Sequence, residues 1–230
     1  MFDRLRKKAT RAVKRVAGDA VEDEAEKQTQ KQIDKHRGAA QAEYEKSTEH
    51  SFRGMKEQKK KVTGEMITDF KKFKASWEKN ASDPAQSIFH FLIAAYNYSV
   101  KDKAIGDAMA TVILSKKHNL EDPSTPSGLK LGPTNKTLLK YMRNDPNIVK
   151  SYLGAEYKED YKFNESKPKM AFLGFVPEGE KRLKAIIQST GKDFPTPVGL
   201  AKNKNGQWKI TEFSSIATGC KKPASEEDDF

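Results

Sequence analysis

The sequence predicts an α+β fold in which long N-terminal helices precede a compact domain of short helices and a small antiparallel sheet. Three observations carry this. Apolar residues near the N-terminus recur at steps of three and four, an apolar helix with a clear start signal opens at Pro84, and from about Met170 short apolar runs alternate with turn residues.

In the first helix Phe2, Leu5, Ala9, Ala12 and Val16 share one face, and Arg4, Arg6, Lys7, Lys8, Arg11, Lys14 and Arg15 fill most of the rest. Past Gly18 the chain turns acidic, with Asp19, Glu22, Asp23, Glu24 and Glu26 leading into KQTQKQIDKHR, a solvated helix with little to bury. Gly38 is a break. Helical character then resumes as far as Trp77, where Val62, Met66, Phe70, Phe73 and Trp77 form an apolar stripe opposite Lys59, Lys60, Lys61, Lys71, Lys72 and Lys74.

Asp83 before Pro84 is a cap followed by proline at the first helical position, and AQSIFHFLIAAYNY reads as a buried central helix. A helix over Asp102 to Lys116 follows, with Ile105, Met109, Val112 and Ile113 inward. EDPSTPSGLKLGP is a loop by its proline and glycine content, and Thr134 caps a short helix, NKTLLKYMRN, that ends ahead of Pro146. MAFLGFV, RLKAIIQS, PVGLAKNK and QWKITEFSS read as four strands, the last pair joined at Asn205 and Gly206 as a hairpin. The alternation in QWKITEFSS is too irregular to assign faces. The expected organisation is an arm at 1–76, a compact domain at 77–220 and an acidic tail at 221–230.

The net charge is +11, and residues 1–79 hold 21 Lys and Arg against 14 Asp and Glu, so the N-terminal part carries most of the excess. This balance favours anionic partners. A lone Cys220 excludes an intrachain disulfide and a cysteine-built metal site. With no secretory h-region and no apolar run near 20 residues, the expectation is a cytoplasmic protein, peripheral at the inner face of the membrane if the arm binds lipid.

No catalytic residue, cofactor or metal is expected. His36, His50, His90 and His118 lack metal-ligand spacing, and Ser214 and Ser215 lack a Gly-x-Ser-x-Gly elbow. GLKLGPTNKT fails the phosphate-loop pattern because three residues separate Gly132 from Lys136. Nucleic-acid binding by the basic arm has charge in its favour but no recognition motif, and the acidic patch beyond Gly18 opposes it.

Trp77 ahead of Asp83 and Pro84, a Gly-Pro before a helix ending in Arg-Asn-x-Pro, then SYLGAEYKEDY and the closing GKDFPTPVGLAKNKNGQWKITEFSSIATGCKKPASEE form a recognisable pattern. It resembles a family of uncharacterised bacterial proteins classed as a domain of unknown function, over roughly residues 77–226. Its most specific positions are Ser151, Tyr152, Gly154 and Ala155, then Trp208, Ser214, Ser215, Gly219, Lys222 and Pro223. The resemblance implies a boundary near Trp77 and leaves function open.

Two functional readings follow. In the first, the protein is a non-catalytic interaction protein. Phe2, Arg4, Leu5, Lys7, Lys8, Arg11, Lys14, Arg15 and Val16 bind an anionic membrane surface or a protein partner, self-association through the N-terminal helices being one form of the latter. In the second, the C-terminal domain holds a small-ligand or enzymatic pocket lined by Tyr152, Tyr157, Tyr161, Trp208 and Ser214, by fold-level analogy with nuclear-transport-factor-like cones. Core packing is weighed as the more ordinary role of these aromatics.

Overall fold

The computed structural model describes residue 52 and residues 54–227, and the N-terminal helices expected before them lie outside the described residues. Within that range the chain is α+β. Five antiparallel strands form a sheet: β1 (Lys56–Thr63), then β4 (Lys169–Pro177), β5 (Arg182–Gln188), β6 (Thr196–Lys202) and β7 (Trp208–Glu212), in the spatial order β1-β4-β5-β6-β7. Strands β2 (Asn119–Glu121) and β3 (Leu129–Leu131) make a separate small hairpin. The helices are α1 (Phe70–Asn80), α2 (Pro84–Val100), α3 (Lys103–Ile113), α4 (Pro133–Asn144), α5 (Asn147–Tyr152) and α6 (Ser214–Ala217).

The largest departure from the sequence expectation is at residues 56–63, read as helix and found as the edge strand β1. The three-and-four stripe through Val62 and Met66 holds as helix only from Phe70 onward. Inside β1 a single residue, Val62, is buried, and it pairs with Met170 of β4, so pairing with the sheet overrides the helical propensity of the lysine run. The expected boundary at Trp77 falls within α1, whose Phe70, Phe73 and Trp77 are core residues. The body thereby gains Lys56, Lys59, Lys60 and Lys61. Over residues 54–227 Lys and Arg number 30 against 20 Asp and Glu, a net +10, so the described body is itself strongly basic.

Helix α2 is the centre of the core. Asp83 caps it, its side chain accepting from the Ala85 N–H at 2.9 Å with Pro84 at the first position, and Ser87 through Tyr98 are all buried. Full burial of each Ile, Leu or Phe here contributes about 1.5–3 kcal/mol before entropy is set against it. His90 has a partner at each ring nitrogen, the Gln86 carbonyl at Nδ1 (2.7 Å) and Ser76 Oγ at Nε2 (3.0 Å), and burial, against the pull of that carbonyl, lowers its pKa. Asp102 caps α3 in the same way, accepting from the N–H groups of Ala104 and Ile105. Helix α4 starts earlier than expected: Gly132 takes the cap position and Pro133 the first turn, leaving Thr134 inside.

The four strands expected from the C-terminal third are all present, and Gly206 supplies the positive φ (76°) of the β6–β7 turn. In β7, Trp208 and Ile210 face inward. A register shift between Gly199 and Leu200 then lets Phe213 return to the core just past the strand, which explains the irregular alternation. The outer edge of β7 is closed by Ser115 N–H donating to the Ile210 carbonyl (2.9 Å) and Trp208 N–H donating to the Ala81 carbonyl (2.7 Å). The stretch 121–133, read as loop, takes in the last residue of β2 and all of β3, which pair as a short hairpin.

Candidate functional site

Three of the five residues expected to line a pocket come together, but in a packed seam. Tyr152 and Tyr161 are each 1% exposed. The Tyr152 hydroxyl lies 2.6 Å from Thr196 Oγ1, and the Tyr161 hydroxyl donates to the Lys221 carbonyl at 2.8 Å. Tyr157 packs under the Lys221 ammonium, 4.9 Å from its ring centroid. Trp208 and Ser214 take part in other contacts: Lys202 Nζ lies 4.9 Å over the Trp208 ring, and the exposed Ser214 donates to Glu212 Oε1 at 2.5 Å.

The seam joins the two stretches that carry the family resemblance. Thr190 N–H donates to the Ser151 carbonyl at 3.1 Å, Ser189 Oγ donates to Ser151 Oγ at 2.7 Å, and Lys221 N–H donates to the Gly191 carbonyl at 2.9 Å. A side chain on Gly191 would come within 2.4 Å of the Tyr161 hydroxyl. At the centre is Lys192, whose Nζ donates to the Ser215 carbonyl (2.8 Å), the Ile216 carbonyl (3.4 Å) and Thr218 Oγ1 (2.7 Å). Burial lowers the Lys192 pKa to about 8, with Cys220 opposing that shift. Cys220 is half-buried, and its thiol is pushed upward chiefly by that burial, 3.7 Å from Asp145 Oδ2. The recognisable residues thus fasten the C-terminal segment to α5 and the sheet.

Open space lies elsewhere. A cleft of about 640 Å³ is bounded by the start of α3, the loop between β2 and β3, β3 itself and the first turn of α4. That volume falls within the roughly 300–1,000 Å³ typical of small-molecule sites. Lys103, Lys130 and Lys136, one from each of α3, β3 and α4, reach it together with Asp102, Asp107, Ser124 and Thr125. Asp107 is half-buried; its Oδ1 accepts from the Leu131 N–H at 3.3 Å, and desolvation raises its pKa against the pull of that bond and of Lys136 and Lys103. Lys130 is shared with Asp122 at 3.4 Å. Among the described residues no carboxylate lies within ion-pair distance of Lys103 or Lys136.

Sequence reasoning missed this cleft because its lysines are spread over 34 positions and only the β2–β3 hairpin brings them together. The legible signals were the Asp102-Lys103 helix start and the Gly-Pro opening of α4, which place two of the lysines in first turns. Among the described residues no cluster of three or more His, Cys, Asp or Glu is arranged to hold a metal, and no helix is long and apolar enough to cross a membrane.

One family model matches residues 65–224, taking in the body from just past β1; its description is a domain of unknown function (DUF6935). No curated protein and no solved structure matches the chain.

Proposed function

The chain belongs to the DUF6935 family, and on that footing we propose that it is a non-catalytic interaction protein whose basic N-terminal segment tethers the α+β body to an anionic membrane surface. The observation that carries this reading is the charge of the body, +10 over residues 54–227. A tether ending in a basic segment and a body of the same sign are drawn to one surface together, each Lys or Arg near an anionic leaflet contributing about 1 kcal/mol before screening. Phe2 and Leu5 supply the apolar edge that an interfacial helix needs.

The seam gives the pocket reading less to work with, since the hydroxyls of Tyr152 and Tyr161 are engaged by Thr196 and the Lys221 carbonyl. Co-sedimentation of the full chain with vesicles, one set containing about a third phosphatidylserine and one neutral, tests the tether. The reading expects pelleting with the first alone and its loss as salt rises. Equal behaviour with both sets contradicts it, and an acidic protein partner then becomes the reading to pursue.

A further inference from the structure

We infer that the cleft between α3, β3 and α4 binds a phosphate monoester whose organic part carries a hydroxyl group, such as a sugar or polyol phosphate. The argument starts from where the three lysines come from. Lys103 stands at the first position of α3, Lys130 in the middle of β3 and Lys136 in the first turn of α4, so three separate elements each bring a lysine to the lining of one volume, the Lys103 ammonium resting 5.9 Å over the Tyr98 ring. Lysines at such positions gain nothing for their own helices, because a cation in a first turn opposes the helix dipole. Lys103 and Lys136 draw the Asp107 carboxyl toward its ionised form from a distance, and neither forms a direct ion pair with it. Asp102 already accepts two N–H groups as the cap of α3, Lys130 is shared with Asp122, and Lys103 and Lys136 have no ion-pair partner among the described residues.

A phosphate dianion answers that arrangement, with hydrogen bonds to ionised groups among the stronger ones available. Ser124 and Thr125 line the loop side, where their hydroxyls donate within the loop, to Asp122 Oδ1 and to the Asp122 and Leu129 carbonyls, and so hold its shape. Asp107 sets the rest of the specificity. Its Oδ1 takes the Leu131 N–H, and a carboxylate within a cleft repels a bare anion but accepts from a hydroxyl. The cleft therefore favours a phosphate joined to a polyol over phosphate alone. The same chemistry occurs in free sugar phosphates and in phosphorylated inositol headgroups of lipids, and the cleft is open enough for either.

The inference concerns the body and does not depend on the tether, so the two are separable by experiment. Calorimetric titration of the full chain with inorganic phosphate and with glycerol 3-phosphate, at constant ionic strength, reads the site directly. Saturable binding is expected, tighter for glycerol 3-phosphate, with the double variant Lys103→Met and Lys136→Met weaker by about tenfold or more. Asp107→Asn is expected to strengthen inorganic phosphate and to narrow the preference for the polyol phosphate. Phe2→Asp with Leu5→Asp leaves both titrations unchanged, whatever it does to membrane binding. Vesicles carrying phosphatidylinositol 4-phosphate identify the lipid source if their capture of the chain falls in the lysine double variant. The inference is overturned if neither soluble probe binds saturably and vesicle capture is unaffected by the lysine changes, or if all binding survives the double variant while circular dichroism shows the fold intact.

Discussion

The Nζ of Lys192 donates to Thr218 Oγ1 at 2.7 Å, and the same ammonium reaches the Ser215 and Ile216 carbonyls at the end of α6. One side chain thereby fastens the segment after β7 to the loop between β5 and β6. Replacing it with methionine keeps the aliphatic stem but strands those acceptors. Lys192→Met is expected to lower stability by about 2–3 kcal/mol, the scale of a charged hydrogen-bond donor removed from a partly buried set. Urea unfolding followed by tryptophan fluorescence checks this, and a change below about 0.5 kcal/mol would show that the clamp carries no stability.

Tyr152 and Thr196 form a second contact beside the first, with oxygens 2.6 Å apart in the core and the Lys192 Nζ 5.4 Å over the Tyr152 ring. Tyr152→Phe and Thr196→Val each leave a buried oxygen short of this partner and are each expected to cost about 1 kcal/mol or more. Combined, they should cost less than the sum, because the double variant removes both polar ends. Additive costs in the double-mutant cycle would mean that the two hydroxyls are not coupled.

His90 predicts an acid dependence. Burial lowers its pKa, outweighing the bond to the Gln86 carbonyl. The folded state therefore binds the proton less readily than the unfolded one. The sign follows: stability from the neutral ring is present above the ordinary histidine range near pH 6.5 and is lost as pH falls through the lowered value. The slope it adds is at most about 1.4 kcal/mol per pH unit. His90→Gln should flatten the difference in urea midpoint between pH 7 and pH 5, whatever its effect at pH 7. An unchanged slope would assign the acid sensitivity to carboxylates.

Gly106 marks the closest approach of α3 to α2. A Cβ there would stand 2.1 Å from the backbone nitrogen of Tyr98, a contact the helix pair cannot relieve by turning a side chain. Gly106→Ala is expected to cost more than about 3 kcal/mol or to prevent folding, despite the better helix propensity of alanine. A thermal midpoint equal to the parent's would contradict this packing.

Much of the fold is legible in the chain, and the residues show why. Asp83-Pro84 announces a helix through a cap that forms as read, and Asn205-Gly206 announces the hairpin, since each signal acts within a few residues. Lys56 to Thr63 was misread because β1 is an edge strand with one buried residue. Its pairing with β4 joins positions over a hundred residues apart and leaves almost no apolar alternation to see. The site was less legible than the fold for the same reason. Lys103, Lys130 and Lys136 look like ordinary solvated lysines until β2 and β3 pair, whereas the tyrosines that looked functional are the ones that fill the seam.

The central claim is that the basic N-terminal segment, acting with a basic body, holds the protein on an anionic surface. The most direct measurement is the fraction of protein pelleted by phosphatidylserine-containing vesicles at physiological salt, compared between the full chain and a chain lacking residues 1–17. The account predicts a drop of about tenfold or more in apparent affinity on deletion, matched by Phe2→Asp with Leu5→Asp in the intact chain. Equal pelleting of all three proteins would contradict it.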